Sequence, residues 1–147
     1  MLREKNIFLI EDNDNDINLI LNLLKEINLF DNVTIFKDGQ EVLNYFYSDV
    51  KRTDFFLPTV LLLDIKLPKI NGLQVLDKLK KDEKYKFIPV VMLTSSNHEK
   101  DILSCYMSGA NGFVVKPVDY HEFSIVLKAT INYWVNTNEP PVLIRKF

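Results

Sequence analysis

Cysteine, histidine and glycine are scarce: the 147 residues include one cysteine, two histidines and four glycines. A lone Cys105 can close no internal disulfide and build no zinc cage, and it reads as a small packing residue. His98 and His121 fall at expected helix starts with no metal-binding partner nearby, and both read as surface residues. No apolar run approaches the ~20 residues that span a bilayer, and Met1-Leu2-Arg3-Glu4-Lys5 lacks a signal-peptide pattern. Strong charge of one sign is also missing. A net charge of -2 gives no basic field for phosphate backbones, so nucleic-acid and membrane partners are both disfavoured. What remains is 47% hydrophobic residues, too many for a disordered chain, and the expectation is a cytoplasmic single domain.

Five short runs of β-branched and large apolar residues alternate with helical patterns. They are Ile7-Phe8-Leu9-Ile10, Val33-Thr34-Ile35-Phe36, Val60-Leu61-Leu62-Leu63, Val90-Val91-Met92-Leu93 and Phe113-Val114-Val115. The first, third and fourth are continuously apolar, as strands covered on both faces are. Ile17, Ile20, Leu21, Leu24 and Ile27 follow helical spacing after Asp14, which reads as the N-cap. A second helix runs from about Gln40 to Tyr47, and a third opens near Asn71-Gly72. A fourth closes at Gly109, and a fifth starts with Asp119 and Glu122 at capping-box spacing and continues to Trp134. Between Ser48 and Pro58 lies a longer surface loop whose Phe55 and Phe56 are expected to tuck back onto the domain. Strict alternation of strand and helix implies a parallel sheet with helices on both faces. Ligands in such sheets bind beyond the carboxyl ends of the strands.

The residues at those ends form a coherent set. Glu11 and Asp12 follow the first strand, Asp64 follows the third, Thr94-Ser95 ends the fourth and Lys116-Pro117 the fifth. Carboxylates about 4 Å apart repel by roughly 4 kcal/mol at an effective dielectric near 20, so a proton or a cation must sit among them. Oxygen ligands with no histidine or cysteine favour magnesium. A carboxylate nucleophile beside a metal, an ammonium and a hydroxyl donor is equipment for handling a phosphoryl group.

In these residues, and in Pro68, Gly72 and Gly109-Ala110-Asn111-Gly112-Phe113, the chain resembles the receiver domains of two-component response regulators, the family of the chemotaxis protein CheY. The resemblance spans residues 6–134. It implies a flavodoxin-like (βα)5 fold, doubly wound, with strand order 2-1-3-4-5. It further implies a receiver over residues 1–135 and a tail over 136–147. Asp64 then becomes the phosphoacceptor for a sensor histidine kinase or phosphotransfer protein. Mg2+ is expected on Asp12, Asp64 and the Lys66 backbone carbonyl, with Glu11 acting through water. Lys116 is expected to pair with Asp64, and the Lys116-Pro117 bond to be cis. Thr94 and Phe113 match the family's switch pair. Lys66 and Ser96 occupy positions that tune phosphate loss in the family, and the long Lys66 side chain is expected to hinder attack by water. Such a protein is a phosphoacceptor rather than an enzyme, and its output is a contact with a downstream protein. The long fifth helix and the tail resemble single-domain partners of bacterial phytochrome kinases, some of which dimerise through helix four, strand five and helix five.

Four other readings compete. Asp12, Asp14 and Asp16 match the first three ligand positions of a calcium loop, but Ile17 stands where that loop needs glycine and Leu23 where it needs glutamate. With that loop rejected, Asp14 and Asp16 read as part of a solvated charged turn with helix N-caps, whereas Glu11 and Asp12 do not. A flavin or nucleotide enzyme needs a phosphate-cradling loop after the first strand, where this chain has Glu11-Asp12-Asn13-Asp14. A phosphatase with an aspartate nucleophile needs a second aspartate where Lys66 stands. The alternative of the same fold is a pseudo-receiver that binds protein without taking phosphate.

Overall fold

The computed structural model describes residues 4–49 and 53–141. Strands β1 (Ile7–Ile10), β2 (Val33–Phe36), β3 (Val60–Leu63), β4 (Val90–Thr94) and β5 (Gly112–Val115) pair in parallel in the order β2-β1-β3-β4-β5. The three inner strands are buried along their whole length, whereas the edge strands β2 and β5 are mostly half-buried. Continuous apolar runs therefore mark the strands sandwiched between helices. Helices α1 (Asp14–Glu26), α2 (Gly39–Tyr47), α3 (Gly72–Lys81) and α4 (Glu99–Met107) make the four crossovers of this flavodoxin-like fold, and α5 (Tyr120–Ile131) follows the last strand.

Alternation along β1 separates the core into two layers. Ile7 and Leu9 face Ile20 and Leu24 of α1 and Leu127 and Ile131 of α5. Phe8 and Ile10 face the other way, into a layer with Val42 and Phe46 of α2, Val75, Leu76 and Leu79 of α3 and Cys105 of α4. Phe55 and Phe56, in the segment before β3, are held against that second layer. Phe55 stacks on Tyr45 at 5.1 Å between centroids, and Phe56 meets Phe8 edge-on at 5.6 Å. The Tyr45 hydroxyl donates to the Phe56 carbonyl and accepts from the Phe56 N–H.

Helix starts follow side-chain capping. Asn71 and Gln74 form a complete capping box on α3, and Asp119 accepts from the Glu122 N–H at the start of α5. On α1 the cap is Asn13, not Asp14. Asn13 is extended and its side chain accepts from the Asp16 N–H, while its carbonyl already takes the Ile17 N–H, so Asp14 is the first helical residue. Beyond Ile131 the last helix continues as a π-helical turn, Asn132–Thr137, that carries the buried Val135. The Val142-Leu143-Ile144-Arg145-Lys146-Phe147 part of the tail lies outside the described residues.

At the edge of the sheet away from the acids, Lys80 joins three segments. Its ammonium donates to the carbonyls of Lys86 and Ile88 and to Asn111 Oδ1, which also accepts the Val90 N–H. Burial lowers the Lys80 pKa from 10.5 to about 8. The folded chain thus sheds this proton before the unfolded chain does, and this group's contribution to stability rises as pH climbs from 8 to 10.5. In Lys80→Met that rise is expected to vanish. Urea unfolding of both proteins across the interval measures it, and parallel profiles would contradict the assignment.

Candidate functional site

The register of the parallel ladder carries the strand-end residues to one place. Ile10 pairs with Leu63 and Thr94 with Val115, so Glu11, Asp64, Thr94 and Lys116 emerge along one edge of adjoining strands. Backbone bonds extend the ladder past the strands: Asp64 N–H donates to the Ile10 carbonyl, and Lys116 N–H to the Thr94 carbonyl at 2.8 Å. Glu11, Asp12 and Asp64 each offer a carboxylate oxygen, all within 4.8 Å of one another. Glu11 and Asp64 are buried, Asp12 is exposed, and Lys66, two residues after Asp64, is exposed.

Lys116 is the centre of the cluster's electrostatics. Its ammonium, buried to 8% residue exposure, hydrogen-bonds Glu11 Oε1, lies 2.9 Å from Asp16 Oδ2 and 3.4 Å from Asp64 Oδ2. It therefore holds Glu11 and Asp16 more closely than Asp64. Burial pulls the Lys116 pKa down, but its bonds and charge attraction to Glu11, Asp64 and Asp16 outweigh that, and the net direction is upward. Burial drives the Glu11 pKa from 4.5 up to about 7, against the lowering by Lys116 and by the Asn13 N–H. Glu11 Oε2 accepts from the backbone N–H groups of Asp12 and Asn13, so both of its oxygens are engaged within the protein.

Asp16 is the site residue that sequence reasoning missed. The sequence groups it with Asp14 in a solvated turn. Asp14 fits that description, pairing with exposed Lys37 at 2.9 Å. Asp16 does not, because the true cap at Asn13 turns α1 so that its third residue reaches the lysine following β5. The signal was the spacing from Asn13, which places Asp16 at the N3 position.

A second correction concerns Lys116-Pro117. The described residues contain no cis peptide bond, so this bond is trans. An X–Pro bond still favours trans by about 0.5–1 kcal/mol. In the trans form the Lys116 N–H meets the Thr94 carbonyl and the ammonium reaches the acids, so the ladder needs no cis turn.

Thr94 is fully buried, and its Oγ accepts the Ser96 N–H at 3.4 Å. Ser96 in turn donates to Asp101 of α4 at 2.5 Å. Phe113 pairs in register with Met92, two residues before Thr94, and lies half-buried against the α2–α4 layer. Gly72 explains itself sterically: a Cβ there would lie 1.9 Å from the Asp64 carbonyl oxygen. Gly72→Ala must push α3 off the strand end that presents Asp64. A loss of about 2 kcal/mol or more in urea unfolding is the expected outcome, and an unchanged midpoint would contradict this packing.

Oxygen donors from three carboxylates, without histidine or cysteine, suit a hard divalent cation. Among the described residues no helix is long and apolar enough to cross a membrane. Comparison with known proteins agrees with the geometry. Residues 7–128 match the family model described as the response regulator receiver domain. The probable methanogenesis regulatory protein FilR2 of Methanothrix harundinacea is 30% identical over 137 residues, 92% of this chain and 86% of that protein. Response regulator Rcp1 of Synechocystis is 29% identical over 90% of each chain, and its Mn2+-bound crystal structure superposes with a TM-score of 0.84 at 27% identity over 93% of this chain and 99% of that one. The phosphorylated cyanobacterial phytochrome response regulator RcpA is 33% identical, with a TM-score of 0.87 over 94% of this chain and 99% of that one. The five-stranded order, the acid cluster at the strand ends and these likenesses agree: the chain belongs to the response regulator receiver domain family.

Proposed function

We propose that the protein is a magnesium-dependent phosphorylation switch, with Asp64 as acceptor and a sensor histidine kinase or phosphotransfer protein as donor. The observation that carries this reading is the convergence of three carboxylate oxygens within 4.8 Å with a buried ammonium in contact with Glu11 and Asp64. An ionised Asp64 oxygen attacks the phosphorus, the donor's P–N bond breaks, and a mixed anhydride forms on Asp64. Lys116 turns its ammonium to a phosphoryl oxygen, and the Thr94 hydroxyl donates to another, with Phe113 closing behind it. Asp12, Asp64 and the Lys66 carbonyl would hold the metal. Glu11, its oxygens already engaged, would reach it only through water. The metal supplies neutralisation of phosphoryl charge.

The output is contact with a downstream protein rather than catalysis on a separate substrate. Leu103 and Tyr106 on α4, Val118 after β5 and Ile125 on α5 are exposed apolar residues available to such a target or to a homodimer. The likeness to RcpA, a cyanobacterial phytochrome response regulator, supports a kinase of phytochrome type. Incubation with acetyl phosphate and Mg2+, followed by intact mass and peptide mapping, tests the reading. One phosphoryl group on Asp64 that is lost when EDTA is present is the expected result. No added mass would favour a pseudo-receiver that only binds protein. The exposed Lys66 side chain shields the acceptor from in-line water, so Lys66→Asn is expected to shorten the phosphoaspartate lifetime by roughly threefold or more. Equal decay rates would refute that role.

A further inference from the structure

We infer that Asp16 is a positioning residue that holds the Lys116 ammonium back from Asp64 in the resting protein and so sets how readily the phosphoryl group is accepted. The inference rests on the phosphoacceptor reading and adds to it a residue outside the strand-end set. An ammonium has three donors, and three carboxylates share them here: Glu11, Asp16 at 2.9 Å and Asp64 at 3.4 Å. The tight partners are Glu11 and Asp16, and the acceptor has the loosest hold. To meet a phosphoryl oxygen on Asp64, Lys116 must redirect one donor.

Burial decides which bond is given up. The Glu11 side chain is 1% exposed, and withdrawing its cation would strand a buried charge. The Asp16 side chain is 30% exposed and borders an open cleft of about 240 Å³, also lined by Leu19, Lys116, Tyr120 and Phe123. Water entering that cleft can replace the ammonium on Asp16. Lys116 therefore swings on its Glu11 contact, leaving Asp16 for the phosphoryl group, and the strength of the Asp16 pair opposes that swing. Asp14 provides an internal control: it carries the same charge two residues earlier on α1 but pairs with Lys37.

Time courses of intact mass with acetyl phosphate and Mg2+ test this on the full chain, with thermal unfolding of each variant as a check on folding. Asp16→Asn is expected to accept the phosphoryl group roughly three- to tenfold faster than wild type, the effect of removing one partly exposed ion pair. Asp16→Glu restores a carboxylate within reach of the amine and should return the rate toward wild type. Asp14→Asn should stay within about twofold of wild type, because Asp14 pairs with Lys37 and makes no contact with Lys116, and screening weakens its charge at that distance. An Asp16→Asn rate at or below wild type, or one matched by Asp14→Asn or Asp16→Glu, would overturn the inference. Absence of labelling in wild type would instead remove the phosphoacceptor reading itself.

Discussion

Asp64→Asn is expected to lose phosphoryl acceptance by at least ~10²-fold while becoming more stable in the absence of metal. The first effect follows because a carboxamide is no nucleophile, and the neighbouring acids cannot substitute: Glu11 is committed to Lys116 and two backbone N–H groups, and Asp12 lies out on the exposed side of the cluster. The second follows from crowding. Carboxylates within 4.8 Å repel by ~3 kcal/mol per pair at an effective dielectric near 20, and the substitution removes one of them, a relief from two neighbours that the lost attraction to Lys116 at 3.4 Å offsets only in part. In EDTA the variant should therefore gain about 1–3 kcal/mol in urea unfolding. Added Mg2+ should stabilise wild type by mass action and the variant much less. An Asp64→Asn protein less stable than wild type in EDTA would show that the acids are not held in mutual repulsion.

Lys116→Met carries the second large effect, and here stability falls. The methionine fills the volume of the lysine stem but leaves Glu11, 1% exposed, without its cation. Breaking a buried pair on one side costs about 3–5 kcal/mol. The loss depends on pH. In wild type burial already raises the Glu11 pKa from 4.5 to about 7, so in EDTA its contribution declines as pH rises from 4.5 toward 7. Without Lys116 the main lowering influence on that carboxyl is gone. The decline should then be deeper and extend to higher pH. The variant should lie closest to wild type near pH 4.5, where Glu11 is protonated in both. Urea unfolding in EDTA across this range measures the gap, and one that stayed constant with pH would contradict the assignment of Glu11 as the stranded group.

The fold was legible because two periodicities dominate this chain. Val60-Leu61-Leu62-Leu63 and Val90-Val91-Met92-Leu93 are buried on both sides, and a run without alternation states that directly. Asn71 with Gln74, and Gly109 with its positive φ, mark helix ends by local chemistry alone. The site was legible for a related reason: in a parallel sheet, residues that follow strands must meet, however far apart they lie in the sequence. What could not be read was the partition of Lys116 among its acids. That depends on the angle at which α1 leaves β1, which Asn13 rather than Asp14 fixes, and on which carboxylate burial leaves most in need of a cation. The Lys116-Pro117 geometry was hidden for a different reason. The preference between the two isomers is small, and the local spelling does not set it.

The central claim is that Glu11, Asp12 and Asp64 form a divalent-cation site with Lys116 on its flank. Anomalous diffraction from crystals soaked in Mn2+, standing in for Mg2+, tests it most directly. The account predicts a single strong peak at roughly 2.1–2.2 Å from carboxylate oxygens of Asp12 and Asp64, with the Lys116 ammonium still in contact with Glu11. No peak among these acids, or a Lys116 side chain withdrawn from them, would contradict it.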